Sequence, residues 1–187
     1  RQMCIRDRRY DNKSEPKIDF QRTIELEPKT EKVNLGILGA GNFASTTILP
    51  ILKELKKDCQ VLGIASSTGL SSESLATNFK IKNKYPTEEE ILNSEEIDAV
   101  LILTPHFNHS ELVIKALNKG KAIYVEKPLA LNHDELNQII EVYTKRNQMK
   151  NGQLLTVGFN RRFSPHLQKV KQSLFQNAGA INIIARF

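Results

Sequence analysis

The run Gly39-Ala40-Gly41-Asn42-Phe43-Ala44 is a turn kept tight by small residues. It follows the apolar stretch Val33, Leu35, Ile37 and Leu38, and it precedes a helical pattern at Ile48, Ile51, Leu52 and Leu55. In a strand–turn–helix context, the Gly-x-Gly-x-x-Ala spacing aims free backbone N–H groups at an anion, above all a pyrophosphate. Gly39 permits the turn, Gly41 lets a phosphate approach the backbone, and Ala44 lets helix and strand pack closely. Glycine-rich turns also occur with no ligand, so the meaning of this one rests on what shares its edge of the fold.

Two further clusters fall at strand ends. Thr104-Pro105-His106-Phe107-Asn108-His109 follows Ala99 to Leu103, at the carboxyl end of a strand where open α/β sheets bind ligands. Asn108, three residues before Glu111, also reads as a helix cap. Glu126-Lys127-Pro128 ends the next strand. A lysine held there could aim its ammonium at an oxygen whose charge changes as hydride leaves or arrives, although a plain surface Lys-Glu pair fits the spacing equally. NAD-selective domains place an acid about 20 residues beyond the glycine turn, to bind ribose hydroxyls. Here Ile64-Ala65-Ser66-Ser67-Thr68-Gly69 offers hydroxyls instead, so NAD and NADP are both admissible.

The elements that must position these residues alternate. Strands are expected at 33–38, 61–65, 99–103, 122–125 and 154–159. The run Ala99-Val100-Leu101-Ile102-Leu103 is apolar on both faces, as strands of a covered parallel sheet are. Helices are expected after the glycine turn, at 71–79, from Asn108 to a stop at Gly120, and from Asn132. The last carries Leu136, Ile139, Ile140 and Tyr143 on one stripe, with Asn132 and Glu135 as a capping pair. Ser164-Pro165 opens another helix with Leu167, Val170 and Leu174 inward. Alternation of this kind predicts an α/β, Rossmann-type, doubly wound parallel sheet.

Residues 1–32 read as a leader or linker with one short strand near Thr23 to Leu26. Its first eight residues are unlike the lysine-rich remainder and are set aside as extraneous, resembling translated adapter sequence. The Rossmann domain is assigned to 33–160. Residues 161–187 read as the beginning of a second, α+β domain, ending in a strand at Ile181 to Phe187.

Composition narrows the function classes. The 40% hydrophobic and 26% charged content is that of a globular protein. Of the net charge of +6, half comes from Arg1, Arg6, Arg8 and Arg9 against Asp7, and the rest is dispersed, which argues against a nucleic-acid partner. Cys4 and Cys59 are too few for a disulfide framework or a zinc site, so no metal is expected and a reducing compartment is. No stretch reaches the ~20 apolar residues of a membrane span. The expectation is a cytoplasmic protein with no membrane partner.

The chain from Val33 to Phe187 resembles the Gfo/Idh/MocA oxidoreductase family, through the Gly39–Ala44 turn, Thr104-Pro105 with His109, Glu126-Lys127-Pro128 and Gly158-Phe159-Asn160-Arg161-Arg162-Phe163. It resembles in particular members that form the rear module of two-module dehydrogenases. The resemblance implies an enzyme that oxidises or reduces a hydroxyl or carbonyl of a sugar, cyclitol or nucleotide sugar with NAD or NADP. It implies Lys127 as the catalytic lysine, Glu126 beside the nicotinamide ribose, and Gly39, Asn42, Phe43, Ser66, Thr104, Pro105 and His109 along the cofactor. Gly41, Ala44 and Ser67 join this set from the turn and hydroxyl readings above. Arg161 and Arg162 match a motif near the substrate. The family's second domain forms most of the substrate pocket, supplies the lysine's acid/base partner and often mediates homo-oligomers. This chain holds only its beginning, so poor turnover is expected. The alternative is a dinucleotide-binding regulatory module without chemistry.

Overall fold

The computed structural model describes residues 32–66, 70–81, 85, 87–148 and 152–174. Ser67 and the strands expected at 23–26 and 181–187 lie outside these residues.

Five parallel strands form one sheet in the order β2-β1-β3-β4-β5. They are β1 (Val33–Leu38), β2 (Cys59–Ala65), β3 (Ala99–Ile102), β4 (Ala122–Glu126) and β5 (Leu155–Gly158). Among the described residues six α-helices join or follow them: α1 (Leu49–Glu54), α2 (Leu70–Asn78), α3 (Glu88–Asn93), α4 (His109–Asn118), α5 (His133–Gln148) and α6 (Pro165–Leu174).

The period-two alternation of a strand splits the apolar runs between two cores. Leu38, Ala65, Val100, Ile102 and Val125 point to one face, where they pack with Ile91 of α3, Leu112, Val113, Ala116 and Leu117 of α4, and Ile139 of α5. Ile37, Ile64 and Leu101 point to the other, against Leu49 of α1 and Ala76 of α2. Helices on both faces make the sheet doubly wound. The order reverses at β1, which has β2 on one side and β3 on the other, so the loops leaving β1 and β3 diverge at its carboxyl edge. That divergence opens the crevice in which such sheets bind ligands.

Local expectations are met unevenly. Half of the capping box of α5 forms as expected, the Glu135 N–H donating to Asn132 Oδ1 at 2.9 Å, while the Glu135 carboxylate accepts from the Leu131 N–H at 2.8 Å rather than from that of Asn132. Gly120 ends α4 with a φ of 75°. Asn108, by contrast, does not cap. It already has helical dihedrals (φ −94°, ψ −10°) as the last residue of a 3₁₀ turn, His106–Asn108, so its side chain is not in capping geometry, and Glu111 pairs with Lys115 instead.

Ile140 is 52% exposed rather than inward. The buried stripe of α5 centres on Ile139, flanked by Val142 and Tyr143, and Ile140 lies about 100° around the helix from that centre. Before α1, a π-helical segment Ala44–Ile48 shifts the phase of the helix. Ala44 and Leu49 become its buried positions, while Ile51 and Leu55 are exposed. In α6, Leu167 and Val170 stand at the surface rather than inward. Helix α3 was not expected, although Thr87 caps it by accepting the Glu90 N–H and donating to the Glu90 carboxylate.

Candidate functional site

The turn after β1 is held against the loop after β3. Gly39 has a φ of +105°, and its N–H donates to the Ala65 carbonyl at 2.8 Å. A Cβ there would stand 2.6 Å from the Leu103 carbonyl carbon and 2.7 Å from the Thr104 nitrogen. Gly39 is therefore demanded twice, by its dihedral and by the touching loop. Gly41 differs: a Cβ would meet no atom within 4 Å. Among the described residues nothing requires a glycine at 41, and the open space above it is where a ligand can approach the backbone. Asn42 and Phe43 are exposed at the start of the helix, whereas Ala44 is buried. The Asn42 carbonyl accepts from the Ser45 and Thr46 hydroxyls.

Two buried hydroxyls flank this turn without partners. Ser66 Oγ, just past β2, and Thr104 Oγ1, just past β3, make no hydrogen bond with any described residue. A buried hydroxyl left unpaired costs about 1–3 kcal/mol. Two on one sheet edge, either side of a phosphate-type turn, suit a ligand rich in hydroxyl and phosphate oxygens. The residues present therefore fit a dinucleotide. Pro105, next to Thr104, is exposed.

Beyond Thr104, a cavity of about 830 Å³ is lined by Phe43, Thr104, Glu126, Lys127, Arg161 and Arg162 among others. It thus unites the glycine turn with the β4 and β5 motifs. Lys127 is exposed and makes no ion pair with a described residue. The lining also holds His106, from the Thr104–His109 cluster, and Leu103, Gly158, Phe159, Asn160 and Leu167, to which sequence reasoning assigned no role. Phe159 and Asn160 stood inside the quoted Gly158–Phe163 motif, so their position was available as a signal. The Arg162 guanidinium lies over the Phe163 ring, 4.9 Å from its centroid.

His109 is completely buried and lies outside the cavity lining. Its Nδ1 lies 2.7 Å from the Pro128 carbonyl and its Nε2 2.9 Å from the Thr104 carbonyl. The ring packs between the loop after β3 and the loop after β4, with its N–H able to donate to one of the two carbonyls.

The carboxylate of Glu126 is held at one oxygen. Oε1 accepts from the Tyr124 hydroxyl at 2.6 Å and from Asn160 Nδ2 at 2.9 Å. Gly158 makes this contact possible, because a Cβ there would lie 2.6 Å from both Glu126 Oε1 and the Tyr124 hydroxyl. Burial first, then the hydrogen bond to Glu126, push the Tyr124 phenol up to about 12, which keeps it a donor.

Residues 33–173 match the Gfo/Idh/MocA description, an oxidoreductase family with an NAD-binding Rossmann fold. The chain belongs to this family. It is 30% identical over 146 residues to Oxidoreductase P35 of Formosa agariphila, covering 78% of this chain and 44% of that protein. It is 29% identical over 142 residues to an inositol 2-dehydrogenase of Rhizobium meliloti, covering 76% and 40%. Among solved structures, the myo-inositol dehydrogenase of Lactobacillus casei in complex with NAD(H) and myo-inositol superposes with a TM-score of 0.67 at 25% identity, covering 78% of this chain and 42% of that one. The chain therefore spans about two fifths of the length of these relatives. The family's NAD-binding Rossmann fold falls on the part that is present, and the glycine turn lies within it.

Proposed function

We propose that this chain carries the NAD(P)-binding half of a dehydrogenase that acts on a hydroxyl or carbonyl of a sugar, cyclitol or nucleotide sugar. The observation that supports this most is one cavity at the sheet's switch point, shared by Phe43 and Thr104 of the cofactor loops and by Lys127. Gly39 shapes the turn, and Gly41 and Asn42 offer open backbone to the pyrophosphate. Ala44 packs the helix beneath it. Ser66 and Thr104 supply hydroxyls, with Pro105 beside them, and no acid stands at the end of β2 to select NAD over NADP. The bound dinucleotide supplies the hydride acceptor or donor. Lys127 places a positive charge in the cavity, where it stabilises an oxygen whose charge grows as hydride moves. Arg161 and Arg162, from the segment that we assign to the start of the substrate domain, give the cavity further positive charge for a polar substrate. The same reading makes the protein a cytoplasmic enzyme, homo-oligomeric in its full-length form.

The test is an assay of NAD and NADP reduction with a panel of inositols and sugars, using the full-length enzyme and its Lys127→Ala variant. The expected result is a maximal rate lowered at least about a hundredfold, from loss of general acid/base and charge stabilisation, with cofactor affinity nearly unchanged. A Lys127→Ala enzyme with normal rate removes the lysine from the reaction.

A further inference from the structure

The geometry points to Tyr124 and Asn160 as positioning residues that hold the Glu126 carboxylate by one oxygen and present the other to the sugar hydroxyls on the far side of the pyrophosphate. This rests on the dinucleotide reading of the cavity. The two carboxylate oxygens of Glu126 are unequal. Oε1 takes both donors, the Tyr124 hydroxyl at 2.6 Å and the Asn160 amide at 2.9 Å. No described residue donates to Oε2, although Glu126 lines the cavity. A tyrosine hydroxyl has one proton, and the short distance assigns it to the carboxylate, as expected for a charge-assisted bond. The Asn160 amide is oriented by its Nδ2 donating to Glu126, and its carbonyl oxygen lies 3.1 Å from the same hydroxyl.

Three elements converge on this contact. Tyr124 and Glu126 lie two residues apart on β4 and so on one face of the sheet, Gly158 sits opposite Glu126 on β5, and Asn160 follows β5. The missing Cβ of Gly158 is what admits both oxygens. The place in the sheet supplies the ligand group. A dinucleotide lies across the switch point with its pyrophosphate on the turn after β1, and one nucleoside reaches the β2 edge, where Ser66 lies. The other nucleoside then lies over β3, β4 and β5, and its ribose is the hydroxyl-bearing group within reach of Glu126. Tyr124 has no such reach of its own, since its hydroxyl is committed to Glu126. Its effect must pass through the carboxylate.

The experiment is calorimetric titration of the 187-residue chain and its variants with NADH, ADP-ribose and ADP. ADP lacks the second ribose, so it reads only the phosphate turn and the β2 side. Tyr124→Phe is expected to weaken NADH and ADP-ribose about tenfold and leave ADP unchanged, and Glu126→Ala to do the same. The double variant should be no weaker than Glu126→Ala alone, because both act through one carboxylate. Asn160→Ala, at an exposed side chain, is expected to move the same two ligands and serves if Tyr124→Phe does not fold. Equal loss for all three ligands means a structural role and overturns the inference, as does unchanged ADP-ribose affinity in both variants. Failure of the wild type to bind ADP, in contrast, overturns the dinucleotide reading itself.

Discussion

Thr104 is where stability and function part company. Its hydroxyl is buried and unpaired among the described residues, so removing it should not harm the fold. Thr104→Val keeps the shape and deletes the orphan. We expect a melting temperature unchanged or raised, by up to about 1 kcal/mol in stability, with NADH binding weakened. Thermal melts and a fluorescence titration check both; a destabilised variant with wild-type affinity would refute the assignment. The sequence already placed Thr104, Glu126 and Lys127 at strand ends on one edge, because strand boundaries follow from apolar runs and turns. It did not show that His109 is buried between two carbonyls, since that depends on how the loops after β3 and β4 pack together. Nor did it show Tyr124 and Asn160 on one carboxylate, because that contact depends on the pairing of β4 with β5.

Between elements, the tight point is the crossing of the turn after β1 with the loop after β3. Gly39→Ala should cost about 2 kcal/mol or more, from a φ of +105° and a Cβ 2.6 Å from the Leu103 backbone. Denaturant unfolding measures it, and a loss below half of that would mean the two loops can part freely. The five strands were legible because buried parallel strands are short and almost continuously apolar. Helix α3 escaped notice because its acidic surface hides a two-residue apolar face, Ile91 and Leu92, despite the Thr87 and Glu90 cap. The apolar faces of α1 and α5 were read too broadly. In α1 a π-helical segment rotates the pattern, and in α5 the stripe is narrower than the spacing of Leu136 and Ile140 suggests.

At the scale of the whole molecule, coverage of the sheet is uneven among the described residues. The face packed by α1 and α2 continues across β4 and β5 through Tyr124 and Thr156, which are half-buried, to Leu154, which is 52% exposed. Phe159, Phe163, Leu167 and Val170 are exposed near the cavity. The expectation that α6 buries its apolar side rested on periodicity, which marks a stripe and says nothing about what covers it. Tyr124 also links the site to global stability. Its phenol ionises at about 12 in the folded chain, above its ordinary value, so its contribution is complete below the ordinary range and fades as pH rises through about 12. Stability should fall between about pH 10 and 12, and Tyr124→Phe should flatten that fall. Urea unfolding of both proteins across this window checks the sign; parallel curves would detach Tyr124 from it.

The account rests most on the phosphate role of the turn, and Gly41 tests it cleanly because, its chain neighbours aside, no atom of the described residues lies within 4 Å of where its Cβ would be. The measurement is NADH fluorescence titration of the wild type and Gly41→Val, with melting curves for each. Saturable binding by the wild type, lost in a variant that melts at the same temperature, is the predicted result. A variant that binds NADH as tightly as the wild type would contradict it.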